Sequence, residues 1–246
     1  MDEEKVLIYE KKGPVAYITF NRPKKINAMT VEMYDMLEKA VFDYTNDDGL
    51  SCAVITGAGG NFSSGADLKE GARAGGSHYD GYGIFPPYRA MTLCPKPFIA
   101  AVDGWCVGSG FSCAVLYSDM CIASDRAKFG VAPQREYGKR EGTPQRPVPE
   151  KPVSGGYAKP YTRRMSLGNA FYIWMAVEKF SAQDAMRIGI ASEVVPYEKL
   201  LERAAELAAT ISKIPLPEIK RRTEFLRLSM EVPGSFDQRL TDIIRW

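Results

Sequence analysis

One stretch constrains this chain more than any other: Ile99-Ala100-Ala101-Val102-Asp103-Gly104-Trp105-Cys106-Val107-Gly108-Ser109-Gly110-Phe111. It opens with an apolar run of strand length, and Asp103-Gly104 is a turn pair. Gly108 and Gly110 then flank Ser109 at the entry to a helix expected to run toward Leu116. Residues without a Cβ let a ligand come close to the main chain. The first N–H groups of a helix have no partner inside it and carry the positive end of its dipole. Such a group is suited to bind a developing oxyanion.

A second stretch of the same character lies upstream, Asn61-Phe62-Ser63-Ser64-Gly65-Ala66-Asp67-Leu68-Lys69-Glu70. It follows a strand expected over Cys52 to Thr56, and Gly65-Ala66-Asp67 leads into a polar helical turn. Together the two stretches resemble the crotonase superfamily, also called enoyl-CoA hydratase/isomerase. In that family a Ser-Gly-Ala-Asp-Leu segment and a Val-Asn-Gly…Gly-Gly-Gly segment each contribute one backbone N–H to an oxyanion hole. The resemblance implies that the amides of Ala66 and Ser109 hold an acyl-CoA thioester oxygen as an enolate. It also implies that Ser64, Gly65, Asp67, Leu68, Gly108 and Ser112 belong to the substrate site.

The resemblance covers nearly the whole chain, from about Val6 to the helices after Ser181. It implies an α/β, crotonase-like (ClpP/crotonase) fold, a spiral of ββα units. The core would span residues 1–180, and residues 181–246 would form a C-terminal helical region of the same domain. Those last helices would pack at subunit contacts in a homotrimer or homohexamer.

Composition is consistent with that size of unit. The chain has 246 residues, 45% of them hydrophobic, enough for one large domain with a full core. A net charge of +2 gives no strong pull toward nucleic acid or acidic membranes. No run approaches the ~20 apolar residues of a membrane span, and Met1-Asp2-Glu3-Glu4 lacks the basic start of a signal peptide. The expectation is a soluble cytoplasmic protein without nucleic-acid or membrane partners. Five cysteines in no paired spacing fit reduced, buried thiols. His78 is the single histidine, which argues against a Cys/His nucleophile and against a His/Cys metal site. No metal and no bound cofactor are expected; coenzyme A enters as part of the substrate.

Read in order, Val6 to Glu10 and Val15 to Phe20 are β-rich runs around Gly13-Pro14, a hairpin signature. Thr30 is placed to cap a helix from Val31 to about Tyr44, with Tyr34, Leu37, Val41 and Tyr44 on one face. Between them, Asn21-Arg22-Pro23-Lys24-Lys25-Ile26-Asn27-Ala28-Met29 resembles the family's N-R-P-x-x-x-N-A loop. In relatives that loop supports the CoA nucleotide, which would put Lys24, Lys25, Asn27 and Ala28 at the substrate. The two lysines read equally well as solvated surface charges. Strand followed by helix on this scale suggests parallel strands with covering helices.

Residues 71–87, holding His78, Tyr79 and Tyr82, read as a loop or irregular helix shaping an acyl pocket. Asp119 to Ser124 reads as a strand and Ala127-Lys128-Phe129-Gly130 as its continuation. From Pro133 to Pro160 there are six prolines and many charges, so residues 133–160 are expected to be an irregular surface excursion. Helical patterning returns over Leu167 to Val177, over Ala182 to Ile188 behind a Ser181 cap, and on the Leu200, Ala204, Leu207, Ala208, Ile211 face. Pro217 to Trp246 reads as helical.

The acid–base groups are where the chain departs from its family. Hydratases of the family use two glutamates. One sits three residues past the second oxyanion donor, where this chain has Ser112. The other lies in a Phe-Gly-x-Pro-Glu motif, where this chain reads Phe129-Gly130-Val131-Ala132-Pro133-Gln134. Neither proline nor glutamine is a general base. Glu136 is the substitute base we single out, with Glu141 and Tyr137 nearby, although a solvated charged loop explains all three. Ser112 reads either as a hydroxyl facing its own backbone or as a pocket hydroxyl. Three readings follow: a hydratase/isomerase-type enzyme, a family decarboxylase or thioester hydrolase, and a non-catalytic acyl-CoA-binding paralogue.

Overall fold

A computed structural model describes residues 5–67, 69–70, 86–131, 165–177 and 179–228. Leu68, His78, Tyr79, Tyr82, Gln134, Glu136, Tyr137, Glu141, the 133–160 excursion and the chain after residue 228 lie outside the described residues.

The chain begins with the expected hairpin. Strands β1 (Leu7–Lys12) and β2 (Val15–Phe20) pair antiparallel, with Lys12 opposite Val15 and Gly13 at a φ of 57° in the turn. Helix α1 (Val31–Asn46) starts where Thr30 accepts a hydrogen bond from the Met33 N–H, and it buries Tyr34, Leu37, Val41 and Tyr44. Then come β3 (Cys52–Gly57), α2 (Pro86–Leu93), β4 (Phe98–Val102) and β5 (Trp105–Val107). Helix α3 opens as one α turn at Ser109–Phe111 and widens into a π-helix over Ser112–Tyr117. Strands β6 (Met120–Ser124) and β7 (Lys128–Gly130) follow. The remainder is α4 (Leu167–Met175), β8 (Phe180–Ser181), α5 (Ala182–Arg187), β9 (Glu193–Val195), α6 (Leu200–Ile211) and α7 (Leu216–Leu228).

The strands form a six-stranded sheet in the order β1-β2-β3-β4-β6-β9 and a three-stranded sheet in the order β5-β7-β8. In the larger sheet only β1 and β2 are antiparallel. Consecutive strands β4 and β5 therefore belong to different sheets, and the Asp103-Gly104 turn carries the chain from one to the other. The same happens between β6 and β7. This corrects the reading of Ala127–Gly130 as a continuation of the preceding strand. A turn closed by Ala127 N–H on the Ser124 carbonyl (3.1 Å) breaks the strand, and Lys128 pairs with Trp105 of β5. Two strands in two sheets followed by a helix, β4-β5-α3, is the ββα unit the sequence implied.

Alternation along the strands sends side chains to two cores. Ala53, Ile55, Ala100, Val102, Cys121 and Ala123 face the larger core with α1, α2 and α3. Cys52, Val54, Ile99, Ala101 and Ile122 face the other side and meet Leu200, Ala204 and Ala208 of α6. Strand β4, buried at all five positions, is covered on both faces, as a parallel strand must be. The apolar stripe of α6, expected at a subunit contact, is thus used on the chain's own sheet. The region expected to be helical after residue 180 also supplies β9, an edge strand of that sheet. Helix α7 is pinned by Arg227, whose guanidinium bonds both carboxylate oxygens of Asp119 (2.9 and 2.7 Å) and the carbonyls of Thr92 and Cys94. All five cysteines are free and buried.

Candidate active site

The site is built from two loops held together by main-chain bonds. The first, residues 22–29, is organised from within by Asn27, which is fully buried. Its amide oxygen accepts from the Arg22 N–H (2.8 Å), and its amide nitrogen donates to the carbonyls of Ala58 (2.9 Å) and Asn61 (2.6 Å). Those bonds hold Ile26 and Asn27 at φ values of 51°, a costly conformation for an isoleucine. The Asn27 side chain thereby ties the loop to the backbone at Ala58 and Asn61 as well as to its own start at Arg22.

The second loop, residues 61–67, is hooked onto the first. Met29 N–H donates to the Gly65 carbonyl (2.8 Å), Asp67 N–H to the Met29 carbonyl (2.9 Å) and Ser64 N–H to the Ile26 carbonyl (2.8 Å). Arg22 braces the junction, donating to the Ala28 carbonyl (2.5 Å) and to Asp67 (3.1 Å). Burial pushes the Asp67 carboxyl up, but the hydrogen bonds from Arg22 and from the Lys69 and Glu70 N–H groups outweigh it, and the net shift is downward. Asp67 is therefore an ionised brace that caps the turn at Lys69-Glu70.

The same loop is zipped along its other side to β5. Phe62 N–H donates to the Asp103 carbonyl (2.7 Å), Ser63 N–H to the Trp105 carbonyl (2.8 Å), and Val107 N–H to the Ser63 carbonyl (3.0 Å). This brings Gly65 against the start of α3. A Cβ on Gly65 would stand 3.0 Å from the Val107 oxygen and 3.2 Å from the Ser109 nitrogen, and Gly65 has a φ of 92°. A Cβ on Gly110 would stand 2.7 Å from that of Ser63. Only glycine fits at these two contacts.

Two N–H groups are left over at this meeting point. In the Met29–Ala66 bridge the bonds run through Met29, Gly65 and Asp67, so the Ala66 N–H faces the other way. Among the described residues it has no acceptor, and neither has the Ser109 N–H at the first position of α3. The direction of the second is set by its own peptide plane. The Gly108 carbonyl accepts from the Ser112 N–H (3.0 Å), and a trans peptide points its N–H the opposite way, out of the helix end.

Residues 10–238 match the family model described as Enoyl-CoA hydratase/isomerase. The chain belongs to the enoyl-CoA hydratase/isomerase family. It is 32% identical over 209 residues to the short-chain-enoyl-CoA hydratase of Clostridium acetobutylicum, covering 83% of this chain and 74% of that protein. It is 30% identical over 228 residues to a probable enoyl-CoA hydratase of Rhizobium meliloti, covering 92% and 82%. Among solved structures, enoyl-CoA hydratase from Mycobacterium tuberculosis H37Rv superposes with a TM-score of 0.80 at 26% identity, covering 98% of this chain and 90% of that one. A monofunctional enoyl CoA isomerase from M. smegmatis gives 0.73 at 25% identity, covering 94% and 96%. The fold is that of crotonase.

The residues singled out from the sequence sort themselves on this family scaffold. Gly65, Ala66, Gly108 and Ser109 come together. Lys24 and Lys25 are exposed on the first loop, beside Ala28. Ser64 is half-buried, its hydroxyl 3.5 Å from the Lys25 carbonyl. Ser112 faces its own backbone: its hydroxyl donates to the Gly108 carbonyl (3.3 Å), one turn back. Arg22 and Tyr34 are among the residues that escaped the sequence reading. Arg22, quoted only as part of a motif, ties the two loops. Tyr34, read as one of a helix's apolar stripe, carries a hydroxyl that reaches Ser109 (2.6 Å). The available signal was chemical, since a buried tyrosine needs a partner for its hydroxyl where phenylalanine does not.

Proposed function

We propose that this chain binds an acyl-CoA thioester and stabilises the enolate form of its acyl group between the amides of Ala66 and Ser109. The observation that carries the reading is the pair of N–H donors without acceptors among the described residues, on two loops in contact at Gly65. Two donors aimed at one oxygen favour the state in which that oxygen carries negative charge, and losing one typically costs about 2.7–4 kcal/mol of barrier. Lys24 and Lys25, exposed on the loop hooked to Ala66, are suited to meet the phosphates of the CoA nucleotide. The relatives' names, enoyl-CoA hydratase and enoyl CoA isomerase, support the same substrate class. We further propose a homotrimer or homohexamer as the assembled form.

The reaction differs from ordinary hydration in this reading. The two glutamate positions hold Ser112 and the Pro133-Gln134 pair, and the Ser112 hydroxyl is bonded to Gly108 rather than free to move a proton. That observation favours a second reading, decarboxylation of a 2-carboxyacyl-CoA. Loss of carbon dioxide leaves the electron pair directly in the enolate, so no base is needed to take an α-proton.

Binding and turnover of crotonyl-CoA and malonyl-CoA by wild type and Ala66→Pro test this. Proline removes the N–H itself. The expected result is thioester binding by the wild type and loss of turnover, on whichever substrate is used, in the variant. A folded Ala66→Pro protein that turns over normally would overturn the oxyanion assignment. Binding without turnover of either compound would leave the non-catalytic paralogue as the correct account.

A further inference from the structure

The Ser109 side chain turns toward α1 and α2. Its hydroxyl oxygen lies 2.6 Å from the Tyr34 hydroxyl of α1 and 2.7 Å from the Tyr88 hydroxyl of α2. Tyr88 also donates to the Ser109 carbonyl (2.8 Å). The donors can be assigned from the inventory of the groups. A carbonyl only accepts, so the single Tyr88 proton goes there. The Ser109 hydroxyl then donates to Tyr88, and Tyr34 donates to Ser109. The Met29 sulfur, 3.6 Å from the Tyr88 hydroxyl, is a weak acceptor beside that carbonyl, and with this assignment the three hydroxyls form a directed chain that ends on the serine's own carbonyl.

This chain is held rigidly from behind. Tyr34 and Tyr88 meet edge to face with ring centroids 6.2 Å apart, and Tyr88 stacks on Tyr117 of α3 at 4.7 Å with the planes 6° apart. Tyr88 is 2% exposed. Burial, with the neighbouring Tyr34 adding to it, pushes its hydroxyl well above the ordinary tyrosine value, so it stays a donor. The π-helix that begins at Ser112 widens α3 beside the Ser109 carbonyl, and π-bulges of this kind recur at functional sites.

We propose that Tyr34 and Tyr88 are positioning residues for the oxyanion donor of Ser109, and that the Ser109 hydroxyl is the handle they hold. The inference rests on the oxyanion reading above. Fixing the side chain and the carbonyl of Ser109 leaves its φ no freedom. The Gly108 carbonyl, held by Ser112, fixes the other half of the same peptide plane. The N–H thus points where it does because three oxygens around it are tied, the Ser109 hydroxyl, the Ser109 carbonyl and the Gly108 carbonyl. Gly108 needs such help, for its φ of 55° and ψ of −121° lie where a glycine moves readily. Small misplacements at a reacting centre are costly; a shift on the order of 1 Å can lose about 100-fold in rate.

The test is the carbonyl stretch of crotonyl-CoA labelled with carbon-13 at the thioester, read by difference infrared spectroscopy on the bound complex. Hydrogen bonds to the oxygen polarise the bond and lower its frequency, whatever reaction follows. Tyr88→Phe, Tyr34→Phe and Ser109→Ala should each lose part of the wild-type downshift, with Tyr88→Phe losing more than Tyr34→Phe. In the Ser109→Ala background, Tyr88→Phe should add little, since the handle is already gone. Tyr44→Phe is the control: it loses an equally buried tyrosine hydrogen bond, to the Pro97 carbonyl (2.9 Å), far from the donors. It should lower stability and leave the downshift intact. Folded variants of all three residues that bind crotonyl-CoA with the wild-type downshift would overturn the proposal. A wild-type complex with no downshift at all would remove the oxyanion reading itself, and the positioning role with it.

Discussion

The Cβ that Gly65 lacks would stand 3.2 Å from the amide nitrogen of Ser109. The two loops are therefore in close backbone contact, and a methyl group at position 65 must wedge between them. Gly65→Ala also faces strain at a φ of 92°. We expect Gly65→Ala to lower unfolding stability by about 1–3 kcal/mol and to weaken crotonyl-CoA binding, whereas Gly13→Ala, with nothing within 4 Å, meets backbone strain alone. Denaturant titration and equilibrium binding of the two variants make the comparison. Equal effects on binding would contradict the close approach.

Hydration of crotonyl-CoA should be poor. Adding water across an enoyl thioester needs a base for the water and an acid for the α-carbon, each typically worth ~10²–10⁴-fold when positioned. We expect turnover several orders of magnitude below the common range of roughly 1–10³ per second, unchanged in Glu136→Gln. A steady-state assay decides: turnover within that range, lost in Glu136→Gln, would make Glu136 the base and refute the expectation.

Arg227 should matter more to stability than a surface arginine does. It joins α7 to Asp119 and to the C-terminal carbonyls of α2, with both side chains largely out of water. Removing it leaves Asp119 and those carbonyls short of a donor, and we expect Arg227→Met to cost about 3 kcal/mol. Arg222→Met, on the exposed side of the same helix, should cost about 0–1 kcal/mol. Chemical denaturation of the pair measures the difference.

Acid should weaken the loop junctions in particular. Burial raises Asp103, but its bonds from Arg126 (2.8 and 2.6 Å) and Ser124 (2.7 Å) outweigh this and leave it, like Asp67, below the ordinary carboxylate value. The folded protein then binds fewer protons than the unfolded chain in the acid range, so stability rises with pH there. The contribution is complete above the unfolded value, about 3.9, and is lost as pH falls through the folded values. Asp103→Asn should flatten the acid limb of a plot of denaturation midpoint against pH. An unchanged slope would show that the carboxylate is not linked to folding.

Much of this molecule was legible in advance because its signals are local. Thr30 followed by apolar residues at 34, 37, 41 and 44 specifies a capped, one-sided helix, and that is α1. Gly13 between two β-rich runs specifies a hairpin. The pairing of Lys128 with Trp105 rather than with the main sheet was not legible, because sheet membership is decided by long-range packing and not by the residues of the strand. Lys96 shows the same limit. It is fully buried, its ammonium bonded to the Asp47 and Leu50 carbonyls and set over the Tyr44 ring at 4.7 Å, and burial draws its proton affinity down. A lysine between two prolines carries no mark of that fate. At the site, the donors were readable as a motif, whereas the Tyr34 hydroxyl and the Arg22 brace become visible only when residues 22, 34, 67, 88 and 109 are brought together.

The bridge between Met29 and Ala66 makes the two loops a single length-matched piece. Surface loops ordinarily absorb insertions and deletions, because nothing downstream depends on their exact count. Here residues 26–29 and 64–67 are bonded rung by rung, and Phe62 and Ser63, just before the second of them, are bonded again to β5 and the turn that precedes it. A residue added to either loop would slide Ala66 past its partner and turn its N–H away from Ser109. The segment through which this chain would meet a nucleotide, and the segment that would hold its reacting oxygen, can therefore drift in composition over evolutionary time, but only at constant length.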